Sequence, residues 1–214
     1  DAHSFDQVNH WGTAQLAYAI EKSNVSRVVY MSSMSIYGDH IQPISEDTNP
    51  QPHSFYGRSK WEGEQQLQVL ERKREVIILR SGNVYGYNPS YRIDAVVNRF
   101  LFQANFTGRI TINGSGDQHR SFIHVDKLAS ATTAAVDGQV ANGIYNVVEH
   151  NLTINEVAAA VKEIYPGLDI IHANYNLRMK DMITALPCRI CEQIALPQAS
   201  FAGELQEFKT HFSF

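Results

Sequence analysis

Short runs of β-branched residues alternate along this chain with longer segments of helical periodicity, and this alternation most constrains its fold. Residues 25–31 and 75–80 are too short and too rich in valine and isoleucine for helices, so they predict buried strands. Further strands are predicted at 109–112 and 143–148. Helical spacing predicts helices at 6–23, 55–74, 94–106, 126–136, 153–164 and 203–212. Strands separated by helices pair in parallel through crossovers, which predicts an α/β fold with a parallel sheet.

Three of the predicted helices begin with a capping signal. Ser54 is the predicted N-cap of the helix at 55–74, and Asp126 that of the helix at 126–136. Thr153 followed three residues later by Glu156 forms a capping box, in which each side chain binds the backbone N–H of the other residue.

Composition and charge argue against several functional classes. Of the 214 residues, 43% are hydrophobic and 19% are charged, which is ordinary for a soluble globular protein. The net charge of -4 argues against a nucleic-acid-binding surface. No apolar run approaches the roughly 18 to 20 residues that span a bilayer, and residues 1–4 resemble no targeting signal. We expect a cytoplasmic protein that binds neither nucleic acid nor membranes.

The two cysteines, Cys188 and Cys191, have the C-x-x-C spacing of redox pairs and of half zinc sites. There is no second pair, and no histidine or aspartate lies within a few residues to complete a ligand set. We interpret them as ordinary reduced cysteines, and we predict no metal site.

Tyr56 and Lys60 carry the first chemical signal. Residues four apart on a helix share a face, with their Cβ atoms about 5–6 Å apart. A phenol has a pKa near 10, and a nearby ammonium lowers that pKa toward neutrality, where the tyrosine can transfer protons. Alone, the spacing more often marks a surface tyrosine packed on a lysine stem. Here a predicted buried strand runs directly into Ser32 and Ser33, and α/β sheets place their active sites at such strand ends.

With these residues in place, the sequence resembles the extended short-chain dehydrogenase/reductases, the NAD-dependent epimerase/dehydratase family, and in particular its UDP-glucose 4-epimerase-like members. The resemblance implies a Rossmann-like parallel sheet with a smaller C-terminal substrate-binding portion. It rests on five segments in the family's order: Val8-Asn9 with Gly12-Thr13, residues 32–38, Tyr56 to Lys60, Leu79-Arg80 with Asn83 to Gly86, and residues 116–126.

The resemblance also implies roles at the catalytic centre and a cofactor, NAD or NADP. Tyr56 is the implied general acid/base, and Ser33 the hydrogen-bonding partner at the reacting oxygen. Lys60 is implied to hold the nicotinamide ribose, with Tyr56 and Ser32 also on the cofactor side. A homodimer formed through the helices at 6–23 and 55–74 is implied as well.

The implied substrate is a nucleotide sugar. Ser33, Asn83 and Arg120 would contact it, since a planar guanidinium suits the oxygens of a diphosphate. Arg178 resembles a second diphosphate-binding arginine, but the sequence around it departs from the family's Arg-Pro-Gly-Asp pattern. An ordinary surface arginine is the alternative for Arg178.

Two departures from the family narrow the prediction. No glycine-rich dinucleotide fingerprint occurs in the chain, so we expect the native protein to carry an N-terminal segment that supplies it. Dehydratases of the family carry acidic residues at the positions of Met34 and Ser35, and epimerase-reductases a cysteine at the second of these positions. Hydride transfer alone therefore remains, which predicts a sugar-nucleotide epimerase acting by transient oxidation at C4. The alternatives are a one-way ketoreductase or dehydrogenase and a non-catalytic cofactor-sensing protein.

We predict two portions along the chain. Residues 1–150 would form a partial Rossmann-like core with the serine, tyrosine and lysine. Residues 151–214 would form the substrate-binding portion, with contributions from about 87–120.

Overall fold

A computed structural model describes residues 1–174 and 181–212. Its α-helices are α1 (Ala2–Phe5), α2 (Gly12–Glu21), α3 (Phe55–Gln68), α4 (Val96–Thr107), α5 (Val125–Val136), α6 (Ile154–Ile164) and α7 (Phe201–Thr210). A π-helical turn at Asp6–Trp11 joins α1 to α2, and 3-10 turns lie at Met34–Ile36 and Arg189–Glu192.

The strands form three small sheets. They are β1 (Arg27–Ser33), β2 (Glu75–Ser81), β3 (Asn83–Tyr85), β4 (Arg109–Asn113), β5 (His119–His124), β6 (Gly143–Val147), β7 (His150–Thr153) and β8 (Asp169–Ala173). The main sheet has the order β1-β2-β6 with both pairings parallel. In the second, β3 is parallel and β7 antiparallel to β5, and β4 pairs with β8 in parallel. The predicted α/β fold with a parallel sheet is confirmed.

Strand β2 is apolar on both faces because helices cover both sides of the main sheet. Val76 and Ile78 pack in a cluster with buried residues of α2 and α3. Ile77 and Leu79 pack in a second cluster that includes α5. A parallel strand buried on both faces is expected to be a continuous hydrophobic run, which is the pattern that predicted this strand.

A third hydrophobic cluster lies outside the main sheet. It includes Phe100 of α4, Val161 of α6 and Phe208 of α7, together with residues of β4. Residues on both sides of position 150 share this cluster, so the segment near 87–120 packs with the C-terminal part of the chain. The division of the chain at residue 150 stays a prediction.

Several predicted element ends differ from the structure. Helix α3 ends at Gln68 rather than at residue 74, because the chain from Leu70 onward forms turns with bonds to residues three positions back. Strand β1 spans Arg27–Ser33 rather than 25–31, because it pairs in register with β2 from Glu75 to Ser81. The N-cap of α5 is His124, whose ring accepts the N–H of Asp126. The prediction of Asp126 as this cap was therefore wrong.

The strands β3, β5, β7 and β8 escaped prediction because they are short or polar, and their pairing partners are distant in sequence. The capping box of Thr153 and Glu156 is confirmed at the start of α6.

Cys188 is buried, Cys191 is exposed, and both are free thiols, in line with their interpretation as reduced cysteines. Within residues 1–174 and 181–212, no helix has the length and apolar character needed to cross a membrane.

Candidate active site

Two strands of the main sheet end side by side, β1 at Ser33 and β2 at Ser81, which are register partners. Open parallel sheets bind ligands outside such carboxyl ends. The Ser33 hydroxyl accepts the N–H of Ser35 at 3.2 Å and donates to the Ser35 hydroxyl at 3.0 Å. Ser33 is thereby held at the end of the strand, where the 3-10 turn begins.

Helix α3 starts beside this edge. The Ser54 hydroxyl accepts the N–H of Gly57 at 2.9 Å, which confirms Ser54 as the N-cap. A Cβ at Gly57 would lie 2.4 Å from the backbone oxygen of Ser35. Only glycine therefore lets the first turn of α3, which carries Tyr56, pack this closely on the turn after β1.

A cleft of about 580 Å³ opens at this edge of the sheet. Of the residues singled out in the sequence, it brings together Ser33, Tyr56, Asn83 and Arg120. The polar side chains that line it also include Ser35, Arg92, Asp94 and Arg99. A cleft of similar size, about 560 Å³ between the ends of α2 and α3, shares none of these residues.

Lys60 lies one helical turn after Tyr56 and is half-buried. Its Nζ donates to the backbone oxygen of Met31 at 2.9 Å and lies 5.1 Å from the ring centroid of Tyr30. Burial lowers the pKa of Lys60, and the charge of Glu64 opposes this shift. An ammonium has three donors, so donors beyond the bond to Met31 remain for a ligand.

A second pair of the same spacing shows that spacing does not make a site. Tyr18 of helix α2 and Lys22, the residue that caps its C-terminus, are also a tyrosine and a lysine four residues apart. The Lys22 Nζ lies 2.5 Å from the Tyr18 hydroxyl and 4.0 Å from its ring centroid, and both residues are exposed. This pair lies at no strand end and lines neither of the two larger clefts. Strand ends, cleft and partial burial therefore distinguish Tyr56 and Lys60.

The two predicted substrate contacts are anchored to the second sheet. Asn83 begins β3, and its amide Nδ2 donates to the backbone oxygen of Ser121 at 3.0 Å. Arg120 lies on β5, where its Nη1 donates to the backbone oxygen of His119 at 2.8 Å. Burial lowers the pKa of Arg120, and the carboxylate of Asp181 opposes this effect. A partly desolvated guanidinium in a cleft favours an anionic ligand.

Two further arginines line the cleft and were not predicted from the sequence. Arg92 is exposed and forms an ion pair with Asp94, with Nη2 and Oδ2 2.5 Å apart. Arg99 of α4 has a buried Nε with no hydrogen-bond partner among the described residues. Arg92 lies on the loop after β3 and Arg99 on α4, and only the folded chain brings them to the cleft. No local sequence motif predicts that they line it.

The side chain of Ser32 does not join this group. Ser32 is buried, and its hydroxyl donates to the carboxylate of Glu64 inside the molecule. Its side chain thus faces the interior, because alternate residues of a strand face opposite sides, and the cofactor contact of Ser32 stays a prediction. Arg178 lies outside the described residues.

The chain is similar to nucleotide-sugar enzymes of several kinds. A family model for the NAD dependent epimerase/dehydratase family matches residues 1–148. The dTDP-D-glucose 4,6-dehydratase of Homo sapiens is 30% identical over 149 residues, which are 68% of this chain and 42% of that protein. An uncharacterized UDP-glucose epimerase, YtcB, of Bacillus subtilis is 29% identical over 189 residues, 86% of this chain and 57% of that protein. The chain spans about half the length of these curated relatives.

A solved structure agrees on the fold. The UDP-glucuronic acid 4-epimerase from Bacillus cereus, in complex with UDP-glucuronic acid and NAD, superposes with a TM-score of 0.83 at 24% identity. The similarity covers 95% of this chain and 66% of that one. The Rossmann-like fold, the strand-end cleft and the match over residues 1–148 agree, and the chain belongs to the NAD dependent epimerase/dehydratase family.

Proposed function

We propose that this chain supplies the strand-end cleft and the proton-transfer groups of an NAD-dependent nucleotide-sugar 4-epimerase. One observation carries the proposal: a single cleft contains Ser33, Tyr56, Asn83 and Arg120. Lys60, one turn along α3 from Tyr56, is not among the residues that line the cleft. A proton-transfer group, a hydroxyl partner and an arginine suited to a diphosphate are what oxidation of a nucleotide-linked sugar requires of the protein, beside a cofactor that would accept the hydride.

Each side chain has a task in the proposed reaction. Tyr56 removes the proton of the sugar C4 hydroxyl, while the Ser33 hydroxyl hydrogen-bonds the same oxygen. Lys60, one helical turn from Tyr56, would hold the ribose of the nicotinamide. A bound nicotinamide supplies the hydride chemistry. After the keto sugar turns over in the cleft, Tyr56 returns the proton to the oxygen in its new configuration.

The residues at the strand end fit the nicotinamide end of NAD. Lys60 has donors left for ribose hydroxyls after its bond to Met31. Tyr56 lies in the cleft that such a ring must reach. The chain contains no glycine-rich fingerprint that would bind the pyrophosphate of the cofactor. The contacts proposed here therefore concern only the nicotinamide and its ribose. The NAD in the structure of the Bacillus cereus epimerase supports NAD as the cofactor.

The strand end favours epimerisation over dehydration. Met34 is apolar and 2% exposed, and the hydroxyl of Ser35 is bonded to Ser33. Neither position supplies the carboxylic acid with which dehydratases of the family protonate a leaving hydroxyl. The guanidinium of Arg120 and the amide of Asn83 are the proposed contacts to the nucleotide diphosphate.

We also propose a homodimer formed through α2 and α3. Exposed apolar side chains on these helices and the preceding turn include Val8, Trp11, Leu16 and Phe55. Contiguous exposed apolar surface marks interfaces in soluble proteins. A twofold arrangement would cover the same surface in both copies.

The proposed function is tested with the full-length protein, NAD and a panel of UDP-hexoses, with C4 epimers separated by NMR. We expect Tyr56→Phe to lower kcat by about 10²- to 10⁴-fold, because a general acid/base contributes that much. Tyr18→Phe is the matched control, since Tyr18 belongs to the exposed pair of the same spacing. It is expected to leave kcat unchanged.

Absorbance at 340 nm separates the alternatives in the same assay. An epimerase regenerates its cofactor, so no net NADH accumulates during turnover. Steady net oxidation or reduction of the cofactor would instead identify a ketoreductase or dehydrogenase. Cofactor binding without turnover in the wild type would identify a cofactor-sensing protein.

A further inference from the structure

Three polar residues form a row across the main sheet. Ser32 of β1 pairs in register with Arg80 of β2, and Arg80 pairs with Asn146 of β6. Their exposed fractions are 3%, 3% and 0%. The row lies one residue before the strand ends that form the cleft. Central positions of a parallel sheet covered by helices are normally apolar, so a buried polar row calls for an explanation.

Glu64 of α3 lies over this row and is 1% exposed. Its carboxylate accepts from the Ser32 hydroxyl, and from Arg80 Nε at 3.1 Å and Nη2 at 2.6 Å. The third guanidinium nitrogen of Arg80, Nη1, donates to the Tyr37 hydroxyl at 2.7 Å. This hydroxyl in turn donates to the amide oxygen of Asn146 at 2.8 Å. Both oxygens of the buried carboxylate are therefore bonded, and the bidentate pair sets its orientation.

The same stripe of α3 carries Tyr56, Lys60 and Glu64, each four residues from the next. Lys60 donates to the backbone oxygen of Met31, and Glu64 accepts from the next residue of β1, Ser32. Two successive turns of α3 are thus attached to two successive residues of one strand. Attachments one turn apart prevent the helix from rolling, so they hold the whole stripe toward the strand end.

The charge of Glu64 also acts on Lys60. Burial removes water from the Lys60 ammonium and lowers its pKa, and Glu64 is the charge that opposes this. Among the described residues, Tyr30 of β1 faces the Lys60 ammonium, Tyr56 precedes Lys60 by one turn of α3, and Arg80 of β2 lies beyond Glu64. A carboxylate within one helical turn favours the protonated lysine.

We propose that Glu64 is a positioning residue for Lys60: its buried pairing with Arg80 fixes the carboxylate one helical turn from Lys60 and holds the lysine toward the strand end. The proposal rests on the function proposed above, because it assigns Lys60 a task at that site. Stability alone does not account for the pair, since apolar residues of similar volume often replace buried ion pairs without loss of stability.

The test measures Lys60 itself rather than turnover. The full-length protein is acetylated with a trace of acetic anhydride over a pH series, and Lys60 modification is quantified by mass spectrometry. Only the unprotonated amine reacts, so the rate follows the charge state of Lys60. We expect Glu64→Gln to acetylate Lys60 roughly threefold faster or more at pH 8, because the opposing charge is gone.

Glu75→Gln is the matched control. Glu75 pairs with Arg27 at 2.6 Å, at the opposite end of the same two strands. This variant removes a carboxylate from an ion pair of β1 and β2 without touching the polar row. It is expected to leave the acetylation of Lys60 at the wild-type rate.

A second variant covers the case in which Glu64→Gln fails to fold. The double variant Glu64→Leu, Arg80→Met replaces the whole ion pair by apolar side chains, which cores often tolerate. It removes the carboxylate beside Lys60 but also the positive charge of Arg80, which acts on Lys60 in the opposite direction, so a smaller acceleration than in Glu64→Gln is expected. A wild-type acetylation profile in either folded variant would show that the pair is only structural and would overturn the proposal.

The acetylation profile needs neither substrate nor product. Failure of the proposed 4-epimerase function would appear as unchanged turnover in Tyr56→Phe. Failure of the present inference would appear as unchanged Lys60 acetylation in the Glu64 variants. The two outcomes are therefore distinguishable.

Discussion

At the scale of single residues, the chain offers its own comparison. The pairs Tyr18–Lys22 and Tyr56–Lys60 have the same spacing on helices that pack side by side. The first pair is exposed and its members contact each other. In the second, the lysine is bonded to a strand carbonyl and the tyrosine lines the cleft. The two pairs differ in the structure around them. That structure determines how far the tyrosine and the lysine are removed from water and whether a ligand can reach them.

Arg120 leads to a prediction about binding. We expect Arg120→Gln to raise the KM for a UDP-hexose by about 10- to 100-fold with a smaller change in kcat. A hydrogen bond to a charged group contributes about 1.5–3 kcal/mol, and the lost contact acts on the diphosphate rather than on the reacting carbon. Steady-state kinetics of the full-length protein measure both constants.

The control for this prediction is Arg109→Gln. Arg109 lies on β4 in an exposed ion pair with Asp169, with Nη2 and Oδ2 3.4 Å apart. Exposed pairs of this kind contribute little, so KM is expected to stay at the wild-type value. An unchanged KM in Arg120→Gln would remove Arg120 from the proposed substrate site.

At the scale of elements, capping decides where helix α6 begins. The Thr153 hydroxyl accepts the N–H of Glu156 at 3.0 Å, and the Glu156 carboxylate accepts the N–H of Thr153 at 2.7 Å. We expect Thr153→Ala to lower the free energy of unfolding by about 1 kcal/mol, as measured by denaturant titration. Thr133→Ala, at an exposed position inside α5, is the control and should change it by less than about 0.5 kcal/mol. Equal losses in both variants would contradict the capping role.

The capping box also predicts a pH dependence. The backbone N–H of Thr153, and then its hydroxyl, lower the pKa of Glu156 in the folded protein below its usual value. A carboxylate with a lowered folded-state pKa stabilises the fold above its unfolded-state pKa, and this contribution is lost as the pH falls through the folded-state pKa. The difference in unfolding free energy between wild type and Glu156→Gln should therefore shrink as the solution is acidified below about pH 4. A difference independent of pH would contradict this linkage.

At the scale of the whole molecule, the proposed dimer accounts for apolar side chains that the described residues leave exposed. Leu16 of α2 is 57% exposed. We expect Leu16→Glu to shift the full-length protein from dimer to monomer in light scattering, because an interface disfavours an unpaired charge. Ile41→Glu is the control, since Ile41 is fully exposed in a loop away from these helices. A wild-type mass for Leu16→Glu would argue against this interface.

The sequence predicted the parallel core because its signal is local. A continuous apolar run such as β2, or helical spacing closed by a cap such as Ser54, is set by neighbouring residues. The short polar strand β5 gave no such signal, because it is stabilised by β3 and β7, which are distant in the chain. Arg92 and Arg99 were not predicted as cleft residues for the same reason. The path of the loop after β3 brings them to the cleft, and no local sequence pattern determines that path.

The sequence by itself determined the alternation of β1, β2, β4 and β6 with helices, the run of a buried strand into Ser33, and the helix that carries Tyr56 and Lys60. Tertiary structure alone decided that Ser32 faces inward and that Glu64 and Arg80 meet over it. The physical reason is register. Alternate side chains of a strand point to opposite faces of the sheet. The partner of a polar residue therefore depends on the register between strands that are distant in sequence, and local periodicity does not determine that register.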